Sequence, residues 1–204
     1  MMQTRETIVG AIKSTKGDAF PGLLLDSLAI HEAGHAVVAA YLGVRFASII
    51  IDLKPDSLAS VKPVSPDVLE SMQMNNEELR DYKLNTVKSL LASRAAIEAF
   101  FEPSFCQDEI VTGGYGNDEA HVSDLAHDLH IHPSERAEWR SRLLDETRVI
   151  VKTPYVRVAI RAVADAVNKN FETCLRSREL VEVTESEVKE ILERARARET
   201  ASST

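Results

Sequence analysis

The sequence predicts a mainly α-helical fold with one small two-stranded β element. Long stretches repeat apolar residues at three- and four-residue spacing, the signature of helices with one buried face. Ala, Leu, Val and Glu are plentiful while aromatic residues make up 5% of the chain, a composition that leans towards helix. One region, 44–64, reads as paired strands instead.

The elements follow in order. Residues 1–16 can form a short leading helix with Ile8, Ala11 and Ile12 on one side, broken by Gly17 and by Pro21-Gly22. Asp26 or Ser27 can cap the next helix, whose body runs from Leu28 to Leu42, and Gly43 suits a left-handed C-terminal cap. Val44–Leu53, rich in Ile, predicts a strand, and 58–64 a weaker one, with Lys54-Pro55-Asp56 turning between them. Asn76 can cap a long helix to Phe101, whose stripe is Leu84, Val87, Leu90, Leu91, Ala95 and Ile97, and Glu102-Pro103 stops it. Thr112-Gly-Gly-Tyr-Gly-Asn117 is a glycine loop, after which Asp118 opens a helix ending near His132-Pro133. Helix resumes from Ser134, breaks at Thr153-Pro154 and continues to about Arg176. Thr184-Glu-Ser-Glu187 has the spacing of a capping box and starts the last helix.

At 204 residues, the chain is expected to hold one domain over 21–198, between an N-terminal segment (1–20) and a disordered tail (199–204). A net charge of −8 disfavours nucleic acid as a partner, because phosphate backbones demand a positive field. No run approaches the ~18 consecutive apolar residues of a membrane span, and no secretory signal is legible. Two distant cysteines, Cys106 and Cys174, frame no disulfide scaffold. These features predict a cytoplasmic protein without a membrane span.

The most informative run is His31-Glu32-Ala33-Gly34-His35. Histidines four apart lie on one helix face, so two imidazole nitrogens can meet one zinc ion. Glu32 projects beside the first histidine, where it can take a proton from a water held by the ion. Ile30, Ala33, Val37, Val38 and Tyr41 can pack the rest of the helix into the core, and Ala33 and Gly34 leave space near a metal. By itself, Asp118 reads as a helix cap after the glycine loop. The histidines 121, 127, 130 and 132 read as surface residues, although His121 could compete as a zinc ligand.

Beyond that motif, His31-Glu-Ala-Gly-His-Ala-Val-Val-Ala39 resembles the active-site helix of FtsH-type zinc peptidases, the zincin-like protease domains normally fused to a ring ATPase. Ser93-Arg-Ala-Ala-Ile-Glu98 is similar to that family's Gly-Arg-Ala-Ala-Glu-Glu helix, and Thr112-Gly-Gly-Tyr-Gly-Asn-Asp118 to its Thr-Ser-Gly-Ala-Ser-Asn-Asp segment. The likeness spans roughly residues 20–195 and implies a helical peptidase domain with Zn2+ as cofactor. It implies that Asp118 is the third zinc ligand, with His31 and His35, and that Glu32 is the catalytic base. It places Phe46, Ala47, Ser48, Ile49, Ile50 and Ile51 as an edge strand on which an extended peptide pairs. Glu98 matches the family's second glutamate and could orient a ligand histidine, with a salt bridge to Arg94 or simple exposure as the alternatives. Tyr115 is the candidate to stabilise the developing oxyanion.

The expected function is therefore zinc-dependent endopeptidase action on flexible or unfolded polypeptides. A phosphate-binding GxxxxGK[ST] loop is absent from the sequence, so hydrolysis is expected to need no ATP. A separate ATPase or further copies of the chain are the partners this leaves room for. The alternative reading is a peptidase-like module that keeps zinc to bind peptides with little turnover.

Overall fold

The computed structural model describes residues 20–54, 57–108, 111, 115–177 and 180–202. The expected leading helix, the Pro55-Asp56 turn and residues 112–114 of the glycine loop lie outside the described residues. The fold is mainly α, as the apolar spacing predicts. Its elements are α1 (Phe20–Leu42), β1 (Phe46–Lys54), β2 (Ser57–Pro63), α2 (Pro66–Ser71), α3 (Asn76–Phe100), α4 (Pro103–Cys106), α5 (Gly116–Asp128), α6 (Arg136–Lys152), α7 (Pro154–Ser177), β3 (Val181–Thr184) and α8 (Glu185–Ser202).

Helix α1 is the hub, packing against α3, α7 and α8. It begins at Phe20, well before the expected Leu28, because Pro21 falls in the first turn, where its missing N–H would go unpaired anyway. Ile30, Ala33, Val37 and Val38 are fully buried, whereas Tyr41 is 40% exposed and lies beside Tyr155 instead of entering the core. Each fully buried Ile or Val contributes about 1.5–3 kcal/mol relative to exposure, so this face anchors the domain. The Gly22–Leu42 stretch is long and apolar enough to cross a membrane by length and composition, but most of it is covered by the other helices. Gly43, at φ +74°, ends α1 in the left-handed conformation that glycine adopts without strain.

Helix α3 starts one residue earlier than the spacing suggests. The Asn75 side chain accepts from the Glu77 and Glu78 amides, and the Glu78 carboxylate accepts from the Asn75 amide. Helix α7 buries Val156, Ile160, Val163, Val167, Phe171 and Cys174, a stripe at helical spacing. At the C-terminal end, the Thr184 hydroxyl and the Glu187 carboxylate form the expected capping box. The last helix continues to Ser202, so the tail expected to fray from Glu199 is helical almost to its end.

The β element has three strands, not two. Its order is β2-β1-β3, both pairings antiparallel. Strand β3 escaped the sequence reading because four residues cannot declare a period. It pairs Ser48 with Thr184, Ile49 with Val183, Ile50 with Glu182 and Ile51 with Val181. On the opposite side, Ile49 faces Val61, Ile50 faces Ser60 and Ile51 faces Ala59. The register is irregular between Phe46 and Ser48, and the adjacent residues Ser48 and Ile49 are both buried there.

Helices α1 and α3 meet at Gly34. A Cβ there would stand 2.8 Å from the Ala92 carbonyl oxygen and 2.9 Å from the Ala96 Cβ. The backbone carbonyl cannot swing aside, so Gly34→Ala must push the helices apart. We predict a loss of about 1–3 kcal/mol, the usual cost of overpacking, read as a lower urea midpoint. An unchanged midpoint would mean that the helices separate freely at this point.

Candidate metal centre

His31 and His35 stand one turn apart on α1, and Asp118 lies in the first turn of α5, where the helix dipole favours an acidic side chain. Three donor atoms converge. His31 Nε2 and His35 Nε2 are 3.2 Å apart, and Asp118 Oδ2 lies 3.4 Å from the first and 3.2 Å from the second. A tetrahedral ion with ligands at ~2.0–2.1 Å needs donors ~3.3–3.4 Å apart. The triangle therefore fits one face of a zinc tetrahedron, and two imidazoles with a carboxylate are a donor set that zinc accepts. It is the one such His/Cys/Asp/Glu group among the described residues.

Each donor has an outer partner. His35 Nδ1 is 2.7 Å from the Ser89 carbonyl oxygen. A carbonyl can only accept, so Nδ1 carries the hydrogen and the Nε2 lone pair of the neutral ring faces the other two donors. The Ser93 hydroxyl donates to Asp118 Oδ2 at 3.0 Å. The Tyr115 ring stacks on His31, with centroids 5.8 Å apart and planes 12° from parallel.

The centre attracts positive charge. Burial works against protonation of His35, yet the hydrogen bond and charge of Asp118, with the charge of Glu32 and the Ser89 carbonyl, push it up to about 9. Burial would raise Asp118, but hydrogen bonds and charge from His31 and His35 hold its carboxyl well below the usual carboxylate range. A proton and a metal ion compete for the same lone pair, so these forces also favour a divalent cation.

Glu32 is buried at 5% exposure, and its Oε1 lies 4.0 Å from His31 Nε2. It is thus held beside the donor triangle without entering it.

Other expected site residues stand elsewhere. Phe46–Ile51 is not an edge: β1 is the central strand, and β3 occupies the side on which a peptide was expected to pair. Glu98 does not orient a histidine. Its carboxylate accepts from Arg148 at 2.8 and 3.0 Å and from Arg94 at 3.0 Å, and the Ser89 carbonyl takes the expected role at His35. Tyr115 is buried and its ring stacks on His31; burial, above all, pushes its hydroxyl well above the usual phenol range. His121 is exposed and outside the triangle, and His127, His130 and His132 are exposed as expected. Sequence reasoning missed Ser89 and Ser93. Their signal was two small hydroxyl residues, four apart, within the apolar stripe of α3.

A cleft of about 520 Å³ adjoins the centre at Tyr115 and Gly116 and reaches Arg94, Pro103, Cys106 and Gln107. Its charges are matched: Glu98 by Arg94 and Arg148, and Glu119 by Arg140.

No protein-family model and no curated protein matches the chain. The chemistry of the centre is accordingly read from its own side chains.

Two predictions follow from this geometry. Asp118→Ala should weaken zinc binding by more than the ~10–100-fold that loss of an outer hydrogen-bond partner costs. His121→Ala should leave zinc in place, with both titrated against a chromophoric chelator; the reverse order would show that the ligand set is wrong. The second concerns Glu98. Burial would raise its carboxyl, but hydrogen bonds and charge from Arg148 and Arg94 hold it below the ordinary 4.5. Its contribution to stability is then complete above that value and fades as pH falls through the lower folded value. Denaturant unfolding across that acid range should show wild type losing its advantage over Glu98→Gln; a difference that does not vary with pH would contradict the assignment.

Proposed function

We propose that this protein is a zinc-dependent metalloendopeptidase acting on flexible or unfolded polypeptides. The observation that carries this reading is the triangle of His31 Nε2, His35 Nε2 and Asp118 Oδ2 with the buried Glu32 carboxylate beside it. Three protein donors leave a fourth tetrahedral position open, the pattern of hydrolytic rather than closed structural zinc sites. A zinc ion in this setting supplies Lewis-acid polarisation of a carbonyl and acidification of a water.

The chain's own residues do the rest. Glu32 accepts a proton from the attacking water and passes it to the leaving amine. Its burial keeps bulk water from competing for that carboxylate. The Ser89 carbonyl holds the His35 ring in one tautomer, and the Tyr115 ring braces His31. Because β1 is paired along both sides, an extended substrate is assigned to the outer edge of β2, the other strand that packs against α1. An extended segment must be free to reach that edge, and opening a folded domain costs about 5–15 kcal/mol, so flexible chains are the substrates of choice.

Glu32→Gln tests the reading. The variant keeps the size of the side chain and all three donors but removes the base. Zinc content should equal that of wild type, while cleavage of a casein-type substrate falls at least ~10²-fold. Cleavage at the wild-type rate would remove Glu32 from the mechanism. Zinc retained by a wild-type chain that cuts nothing would point instead to a peptide-binding module.

A further inference from the structure

We infer that Ser93 is a positioning residue for Asp118, an inference that rests on the zinc reading above. Ser93 lies in the middle of α3 and is 1% exposed. Its hydroxyl is 3.0 Å from Asp118 Oδ2 and 3.1 Å from the Leu90 carbonyl. A buried helical serine usually bonds a carbonyl three or four residues back, as this one can at Leu90. With one hydrogen to give, it also has a second acceptor within reach: the oxygen that faces both imidazoles.

Three facts make that contact consequential. Asp118 enters the centre from the first turn of α5, whose N-cap residue Tyr115 makes no side-chain cap hydrogen bond. Among the described residues, the side chains bonded to the carboxylate are His31, His35 and Ser93. Once both Nε2 lone pairs turn to a cation, neither imidazole can donate to Asp118 through Nε2; His35 already gives its Nδ1 hydrogen to Ser89. The Ser93 hydroxyl, itself 1% exposed, is then the protein donor left to the ligand oxygen. Helix α3 thereby serves two ligands from one face, His35 through Ser89 and Asp118 through Ser93. The segment that Ser93–Glu98 resembles carries glycine at this position, so the donor belongs to this chain and not to the resemblance.

The test uses the full chain as wild type, Ser93→Ala and Ser93→Thr. Zinc affinity is measured by competition with a chromophoric chelator, and the visible spectrum is recorded with cobalt in place of zinc. Ser93→Ala should bind zinc ~10–100-fold more weakly and shift the cobalt spectrum, with far-UV circular dichroism unchanged. Ser93→Thr, which restores a hydroxyl, should recover both. A purely structural serine would move thermal stability but neither the affinity nor the spectrum. Ser93→Ala binding within about twofold of wild type would overturn the inference while leaving the zinc reading intact. So would a folded Ser93→Thr as weak as Ser93→Ala. A wild-type chain that binds no zinc would overturn both.

Discussion

The closeness of two helices at Gly34 is the constraint on which the centre depends. Without a Cβ at that position, α1 lies against the α3 backbone at Ala92 and Ala96. One residue on, His35 can reach the Ser89 carbonyl at 2.7 Å. A turn further along the same face of α3, Ser93 reaches Asp118 on α5. The hydrogen bonds are short because the packing is tight, and the packing is tight because one residue has no side chain. Space beside the metal, the role that sequence spacing suggests for Gly34, is secondary to this contact.

The legible parts of the fold and the centre are those encoded locally. Histidines four apart specify one face of one helix, so His31, Glu32 and His35 needed no tertiary knowledge. Helix α3 and the last capping box were visible for the same reason, although Asn75 and not Asn76 caps the former. Asp118 was legible only through the resemblance of its loop, since an aspartate after glycines is by itself a cap. What misled was long-range pairing. Phe46–Ile51 has the composition of a strand whether it lies at an edge or in the centre, and only the placement of Val181–Thr184 decides between them. Glu98 was legible in part: its pair with Arg94 follows from their spacing on α3, whereas its other partner, Arg148, lies on α6, and no spacing along the chain announces that pair.

The polar groups divide into two sets. Around the donor triangle, carboxylate and imidazole are arranged so that added positive charge is welcome. Farther out, Arg94 and Arg148 neutralise Glu98, and Arg140 neutralises Glu119, so the adjoining cleft adds little net charge of its own. An attraction for cations is thereby confined to the triangle and not spread over its surroundings.

The central place of β1 also bears on the order of assembly. Its pairing with β2 joins segments adjacent in the sequence, whereas Ser48 must wait for Thr184 to complete its other side. As the chain emerges from the ribosome, the Ile49–Ile51 backbone has an open edge until α7 has been made and β3 follows it. An apolar strand with unpaired amides and carbonyls is a template for joining other chains. Closure by β3, clamped through Glu185 at the start of α8 to Arg45 just before β1, retires that template. The central strand is thus completed only by the last stretch of the polypeptide, which ties the two ends of the described chain into one sheet.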